Sequence, residues 1–153
     1  MHSDWLEDKF RFDFEANAAW TDFLSNVIDD PKPEIVRIIS HILNVHHLWI
    51  RRIKDMPVES GDWDTFEPRH FSRLNYQNFQ ETIDLLSENG EDRIITYINS
   101  DNEDMEKSMY DILYHILQHS AHHRGQVALL CSKEGYENRP EVNYISWSDT
   151  KNV

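Results

Sequence analysis

The stretch Y-D-I-L-Y-H-I-L-Q-H-S-A-H-H-R-G-Q-V-A-L-L-C, Tyr110–Cys131, decides the fold, because its apolar residues recur with the period of an α-helix. Spacings of three or four residues place one set of side chains on a single helical face. That set consists of Ile112, Ile116, His119, His123, Val127 and Leu130. The pattern predicts a long amphipathic helix with two histidines in the middle of its apolar face.

These two histidines, His119 and His123, are candidate metal ligands. Residues four apart on a helix are neighbours, so both imidazoles can reach one metal ion from the same side. The alternative interpretation is that each is a core histidine with a hydrogen-bond partner. An unpaired buried polar group is costly, so the pair needs partners in either case. A metal ion would be one partner shared by both.

Length, charge and cysteine content limit the class of protein. A chain of 153 residues predicts a single domain, residues 1–153, with one hydrophobic core. The net charge of −13 argues against binding to nucleic acid or to an anionic membrane. No apolar run approaches the ~18 residues of a membrane span, and the first residues lack a signal-peptide pattern. With Cys131 as the single cysteine, we expect a reducing cytoplasm and interpret Cys131 as a buried apolar residue.

Three further segments have helical apolar periodicity, at residues ~7–28, ~33–54 and ~72–90. Together with the first stretch they predict an all-α four-helix bundle. Residues 55–71, between the second and third helices, have no period and hold two prolines and a glycine, which predicts a long loop. Its aromatic residues either line a site or cover the core; they are Trp63, Phe66, His70 and Phe71.

Two other segments differ from the helices. The β-branched run Ile94–Ile98, followed by a turn-prone sequence and a return at Asp104–Lys107, predicts a short β-hairpin before the last helix. The ending Gly135–Val153 contains large apolar residues. We expect it to pack back on the bundle or on a second subunit.

Helix two offers a third histidine, because metal sites in bundles are built from side chains on facing helices. His46 lies on the most apolar stripe of this helix, and His41 lies about 140° away at 100° per residue. By periodicity, His46 is therefore the residue that points into the bundle.

Several motifs resemble those of the DinB/YfiT-like family of small four-helix proteins. H-S-A-H-H-R-G-Q (119–126) is similar to the family's H-x-x-x-H-R-G-Q signature, and H-I-L-N-V-H-H-L-W (41–49) to its histidine followed eight residues later by tryptophan. I-I-T-Y-I-N-S-D (94–101) resembles its T-Y-x-N-S-D-G stretch, with Asn102 in place of glycine. The ending resembles its G…P…D-Y-I tail, with Asn143 in place of aspartate. Helix one matches weakly, since Glu15 replaces the tryptophan of a W-A-N element.

This resemblance implies an up-down-down-up bundle, a homodimer, and a divalent metal held by His41, His119 and His123. It therefore disagrees with the apolar stripe of helix two, which favours His46, and His47 is a further alternative. Imidazole ligands suit zinc, nickel, iron and copper alike, so the identity of the metal stays open.

A three-histidine site leaves open coordination positions, which indicates an enzyme. The chemistry would be transfer of a low-molecular-weight thiol, as the resemblance implies, or metal-assisted hydrolysis. His122, Gln126 and His46 are candidates for supporting groups or proton carriers. Arg124 is expected to pair with a local carboxylate or to contact an anionic substrate. The alternative function is a non-catalytic metal-binding or interaction bundle, with a stress-response role suggested only by the family name.

Overall fold

The structure, a computed structural model, describes residues 2–151. Within them the chain forms four long helices, one β-hairpin and a short C-terminal helix. In chain order the elements are α1 (His2–Asp22), α2 (Pro33–Ile53), α3 (Phe71–Asn89), β1 (Ile94–Ile98), β2 (Asp104–Ser108), α4 (Met109–Lys133) and α5 (Tyr144–Thr150). None of these helices has both the length and the apolar character that crossing a lipid bilayer requires.

The predicted fold class is confirmed, and most boundaries agree with the predicted ones within two residues. The clearest difference is α1, which begins at His2 instead of near residue 7. Its first turns are helical because Leu6, 3% exposed, packs into the same core cluster as Phe10 one turn later. The helix is followed by a π-helical turn, Phe23–Val27, which buries both Phe23 and Leu24. Helix α5 was not predicted as a helix.

Two apolar clusters at opposite ends of the bundle show how the helices run. One joins the first halves of α1 and α4 to the last turns of α2 and α3; its buried members are Leu6, Phe10, Ile50, Ile53, Leu85, Leu86, Ile95, Met109, Ile112, Leu113 and Ile116. The other joins the last turns of α1 and α4 to the first halves of α2 and α3; its buried members are Trp20, Phe23, Leu24, Ile35, Ile39, Ile42, Leu43, Phe71, Val127 and Cys131. Helices α1 and α4 therefore run opposite to α2 and α3, which is the up-down-down-up order.

Because α2 and α3 run parallel, the end of α2 and the start of α3 lie at opposite ends of the bundle. Residues 54–70 must therefore run back along the length of α2, which is roughly 30 Å. Buried polar residues of α2 hold this connection in place. Asn44 Nδ2 donates to the carbonyl of Asp64 at 2.7 Å, and the Phe66 N–H donates to Ser40 Oγ at 3.0 Å. Ser40 and Asn44 are 0% and 3% exposed, so these bonds are shielded from water. The connection is thus fixed against the side of α2 that carries His41.

Between the two apolar clusters, α1 and α4 share a buried ion-pair network. Arg124 Nη1 donates to Asp13 Oδ1 at 2.6 Å, and to Asn17 Oδ1 and Ser120 Oγ at 2.8 Å each. Asp13 is 2% exposed and Arg124 7%. The predicted carboxylate partner of Arg124 is therefore real, but it belongs to another helix. The guanidinium is buried in this ion pair, and Arg124 is not a member of the three-histidine group.

The C-terminal segment packs back on its own bundle. In α5, the rings of Tyr144 and Trp147 lie 5.2 Å and 5.4 Å from the ring of Phe12 on α1. Trp147 Nε1 also donates to Glu15, while Ile145 stays 71% exposed. Packing on the bundle is confirmed for this segment, and formation of a dimer stays a prediction.

Candidate metal centre

Helices α2 and α4 bring three histidines together at one point between them. One ring nitrogen from each of His41, His119 and His123 lies within 4.8 Å of the other two. The Nε2 atoms of His41 and His119 are 3.0 Å apart. Two imidazole nitrogens that share one ion at ~2.0–2.1 Å, at roughly a right angle, are separated by about this distance. The spacing of His41 and His119 therefore fits two ligands of a single transition-metal ion.

Hydrogen bonds on the outer side of the cluster fix two of the imidazole rings. His41 Nδ1 lies 2.6 Å from the backbone carbonyl of Asp62, which can only accept, so Nδ1 carries the proton. His123 Nδ1 donates to Gln126 Oε1 at 2.7 Å. In both rings the protonated Nδ1 leaves the Nε2 lone pair available as a metal ligand. Gln126, one of the candidate supporting groups, is therefore in direct contact with a member of the cluster.

An aromatic stack covers His41. The Trp63 ring lies parallel to the His41 ring, with a 5° angle between the planes and 3.6 Å between centroids. On the indole, the guanidinium carbon of Arg37 lies 4.2 Å from the ring centroid. This contact restricts rotation of the His41 side chain and excludes water from one face of the imidazole. Trp63 is therefore the aromatic residue of the long connection that lines the site, whereas Phe71 is fully buried in the core.

His41 and His119 are uncharged at neutral pH. Burial, followed by the neighbouring imidazoles of His123 and His41, lowers the pKa of His119 to about 3. Burial also lowers the pKa of His41, against the opposing effect of the Asp62 carbonyl. Neutral imidazole is the form that binds a metal, so little proton release opposes binding at pH 7. Among the described residues, 2–151, the three-histidine group contains no carboxylate or thiol. Because neutral imidazoles add no negative charge, a bound ion would keep its full positive charge.

The structure decides which histidine of α2 joins the cluster: it is His41. His46 points the other way, into the core. It is 5% exposed, its ring lies 5.6 Å from that of Phe10, and its Nε2 is 2.8 Å from Thr82 Oγ1. Thr82 Oγ1 donates to the carbonyl of Asn78, so it accepts from His46. The apolar stripe identified the core-facing histidine correctly, but that histidine is not part of the candidate site.

Burial of His46 makes the stability of the protein sensitive to acid. Its pKa is lowered from an ordinary 6.5 to about 4 by burial. The unfolded chain therefore binds a proton at this residue more tightly than the folded protein does. The stabilising contribution of neutral His46 is complete above pH 6.5, and it is lost as the pH falls toward 4. The expected contribution is a loss of roughly 3 kcal/mol in the free energy of unfolding across that range.

Urea unfolding of the metal-free protein at pH 7.5 and pH 4.5, compared with His46→Gln, measures this effect. His47→Gln is the matched control, since His47 is half-buried and pairs with Glu59 at the surface. The wild type and the control should lose more stability than His46→Gln. Equal losses in all three proteins would show that His46 is not responsible.

The functional residues that the sequence did not identify are Asp62 and Arg37. Asp62 acts through its backbone carbonyl, which no side-chain pattern can indicate. Arg37 lies one turn before His41 on α2, and its role depends on where the connection places Trp63. His122 was also a candidate supporting group; it is exposed, and its ring lies 4.9 Å from that of His123.

An up-down-down-up bundle with three converging histidines on α2 and α4 defines a class of small helical proteins with a candidate metal centre. The sequence model that represents the DinB family matches residues 21–151, which is most of the chain. The protein belongs to the DinB family. No curated protein and no solved structure gives a significant match to it.

Proposed function

We propose that the protein is a divalent-metal-dependent enzyme that transfers a low-molecular-weight thiol to an electrophile, with His41, His119 and His123 as metal ligands. The observation that carries this proposal is the convergence of their ring nitrogens within 4.8 Å, while Asp62 and Gln126 hold the outer nitrogens. Ligands that are oriented by such outer hydrogen bonds are typical of functional metal sites.

Three protein ligands leave coordination positions for a substrate. A divalent ion at this point would hold a thiol as its thiolate, or lower the pKa of a water molecule for hydrolysis. The chain itself covers one face of the His41 ring with Trp63, and it fixes that ring through the Asp62 carbonyl. His122, exposed beside His123, is placed to carry a proton between the site and solvent.

The chain's own thiol supports a thiol co-substrate over a cysteine nucleophile. Cys131 is fully buried in the second apolar cluster, and burial raises its pKa to about 11. A buried neutral thiol is a poor nucleophile. The sulfur nucleophile of a transfer reaction must therefore come from a small molecule. The homodimer, the cytoplasmic location and the stress-response role stay predictions.

The metal content of protein purified without a nickel column tests the proposal. We expect about one ion per chain, removed by a chelator and restored by titration with zinc or cobalt. Addition of a small thiol to the cobalt form should then produce a sulfur-to-cobalt absorption band. The same protein should accelerate arylation of that thiol by 1-chloro-2,4-dinitrobenzene, which forms a C–S bond and releases chloride and a proton.

The other outcomes separate the remaining interpretations. If the protein retains no ion and binds none on titration, the three histidines are hydrogen-bonded core residues and the proposal is wrong. If cobalt binds but its absorption spectrum does not change when the thiol is added, the ion has no coordination position open to a substrate. The interaction-bundle interpretation would then be preferred.

A further inference from the structure

A cavity of about 300 Å³ lies one helical turn from the histidine cluster, between α2, α4 and the hairpin. Its walls are mainly aromatic and aliphatic, and they consist of Trp49, Tyr97, Lys107, Asp111, Ile112 and His115. A volume of this size is at the lower end of the range for small-molecule sites, which is roughly 300–1,000 Å³. It is large enough for the ring of a small organic molecule. We refer to it below as the aromatic cleft.

A row of contacting rings connects the wall of the aromatic cleft to the candidate metal centre. Trp49 meets Tyr97 edge to face at 5.2 Å, and it meets His115 in the same way at 5.7 Å. The His115 ring is 5.9 Å from that of His119. His115 precedes His119 by one helical turn, which corresponds to about 6 Å along α4. His115, a wall residue of the aromatic cleft, therefore contacts a member of the histidine cluster directly.

The aromatic cleft is held in shape from outside. The guanidinium carbon of Arg52 lies 4.7 Å from the ring centroids of both Trp49 and Tyr97. Arg52 does not line the cleft itself, so its cation–π contacts fix the two rings without filling the space. Trp49 is additionally packed against the first apolar cluster. A preformed aromatic wall costs little to order when a ligand binds.

We propose that the aromatic cleft binds the apolar, ring-bearing part of the substrate whose sulfur or electrophilic end reaches the histidine cluster. This inference rests on the proposed function, and it specifies the substrate class: a small molecule whose apolar ring is joined to its reacting atom by a flexible chain that spans more than one helical turn, ~6 Å. Edge and face contacts from Trp49, Tyr97 and His115 provide the affinity for that ring. Lys107 and Asp111 at the rim contact its polar substituents.

Two thiols that differ by one phenyl group test this assignment. The dissociation constants of butane-1-thiol and 4-phenylbutane-1-thiol are measured for the cobalt-loaded protein through the sulfur-to-cobalt band. We expect the phenyl group to tighten binding at least tenfold. In Trp49→Leu and His115→Ala that advantage should fall below threefold, while in Trp5→Ala, an exposed tryptophan on α1, it should be retained. His115 is exposed, so its variant tests the cleft even if Trp49→Leu folds poorly.

Equal affinity of the two thiols, or a phenyl advantage that survives in His115→Ala and Trp49→Leu, would overturn the assignment. Failure of the proposed metal site can be told apart from failure of the cleft assignment, because the protein would then bind no cobalt. In that case the indole N–H resonance of Trp49 is followed during titration of the metal-free protein with 2-phenylethanol. A saturable shift of that resonance supports the cleft as a binding site, and no shift overturns it.

Discussion

Replacing Asp13 with alanine is expected to lower the free energy of unfolding by about 3–5 kcal/mol, because it leaves the buried charge of Arg124 without its carboxylate. Asn17 and Ser120 would still accept from the guanidinium, but neither neutralises it. Urea denaturation followed by circular dichroism measures the loss. A chelator should be present, so that metal binding does not contribute to the result.

Two further variants make this result specific. Glu7→Ala removes an exposed ion pair with Arg11 on the same helix, and it should cost less than about 0.5 kcal/mol. The double variant Asp13→Leu with Arg124→Met removes both charges, and it should recover most of the stability lost by Asp13→Ala. A loss below about 1 kcal/mol in Asp13→Ala would show that the Arg124 charge is solvated in the folded protein.

Replacing His119 with alanine is expected to weaken metal binding at least 100-fold. His119 is the central member of the cluster, 3.0 Å from His41 and one turn from His123. Loss of a direct ligand should exceed the ~10–100-fold effect of losing an outer hydrogen bond. Gln126→Leu, which removes the acceptor of His123 Nδ1, should fall in that smaller range. Zinc competition with a chromophoric chelator at pH 7.5 measures both changes.

His122→Ala is the matched control for this series. It removes an exposed histidine beside His123 that is not a member of the three-histidine group. Its zinc affinity should stay close to that of the wild type. If His119→Ala binds zinc as tightly as the wild type does, the ion is held elsewhere and the assignment of ligands is wrong.

Periodicity predicted the parts of the fold in which one face of an element is buried. The helices α2, α3 and α4 and the hairpin 94–108 follow this rule, because each presents a clear apolar face or a β-branched run. The start of α1 was missed because Leu6 and Phe10 are separated by charged residues that hide their common face. The C-terminal helix is too short for a period to be visible.

Hydrophobic periodicity predicted less of the candidate site than of the fold. Helix α2 is buried on two sides: His46 faces the core, and His41 faces α4 beneath the 54–70 connection. A single hydrophobic stripe identifies one of these sides, and only motif resemblance indicated the other. The stack of Trp63 on His41 depends on backbone contacts of an irregular segment, which has no sequence period to read. The burial of Asp13 was likewise invisible among the many carboxylates of α1.

The 54–70 connection contributes no ligand, yet it touches the candidate centre through Asp62 and Trp63. Thermodynamic linkage then applies in both directions. If docking of the connection on α2 increases the affinity for the ion, binding of the ion must increase the docking equilibrium constant by the same factor. Backbone amides in this segment should therefore exchange with deuterium more slowly in the loaded protein, and a protease should cut there more slowly.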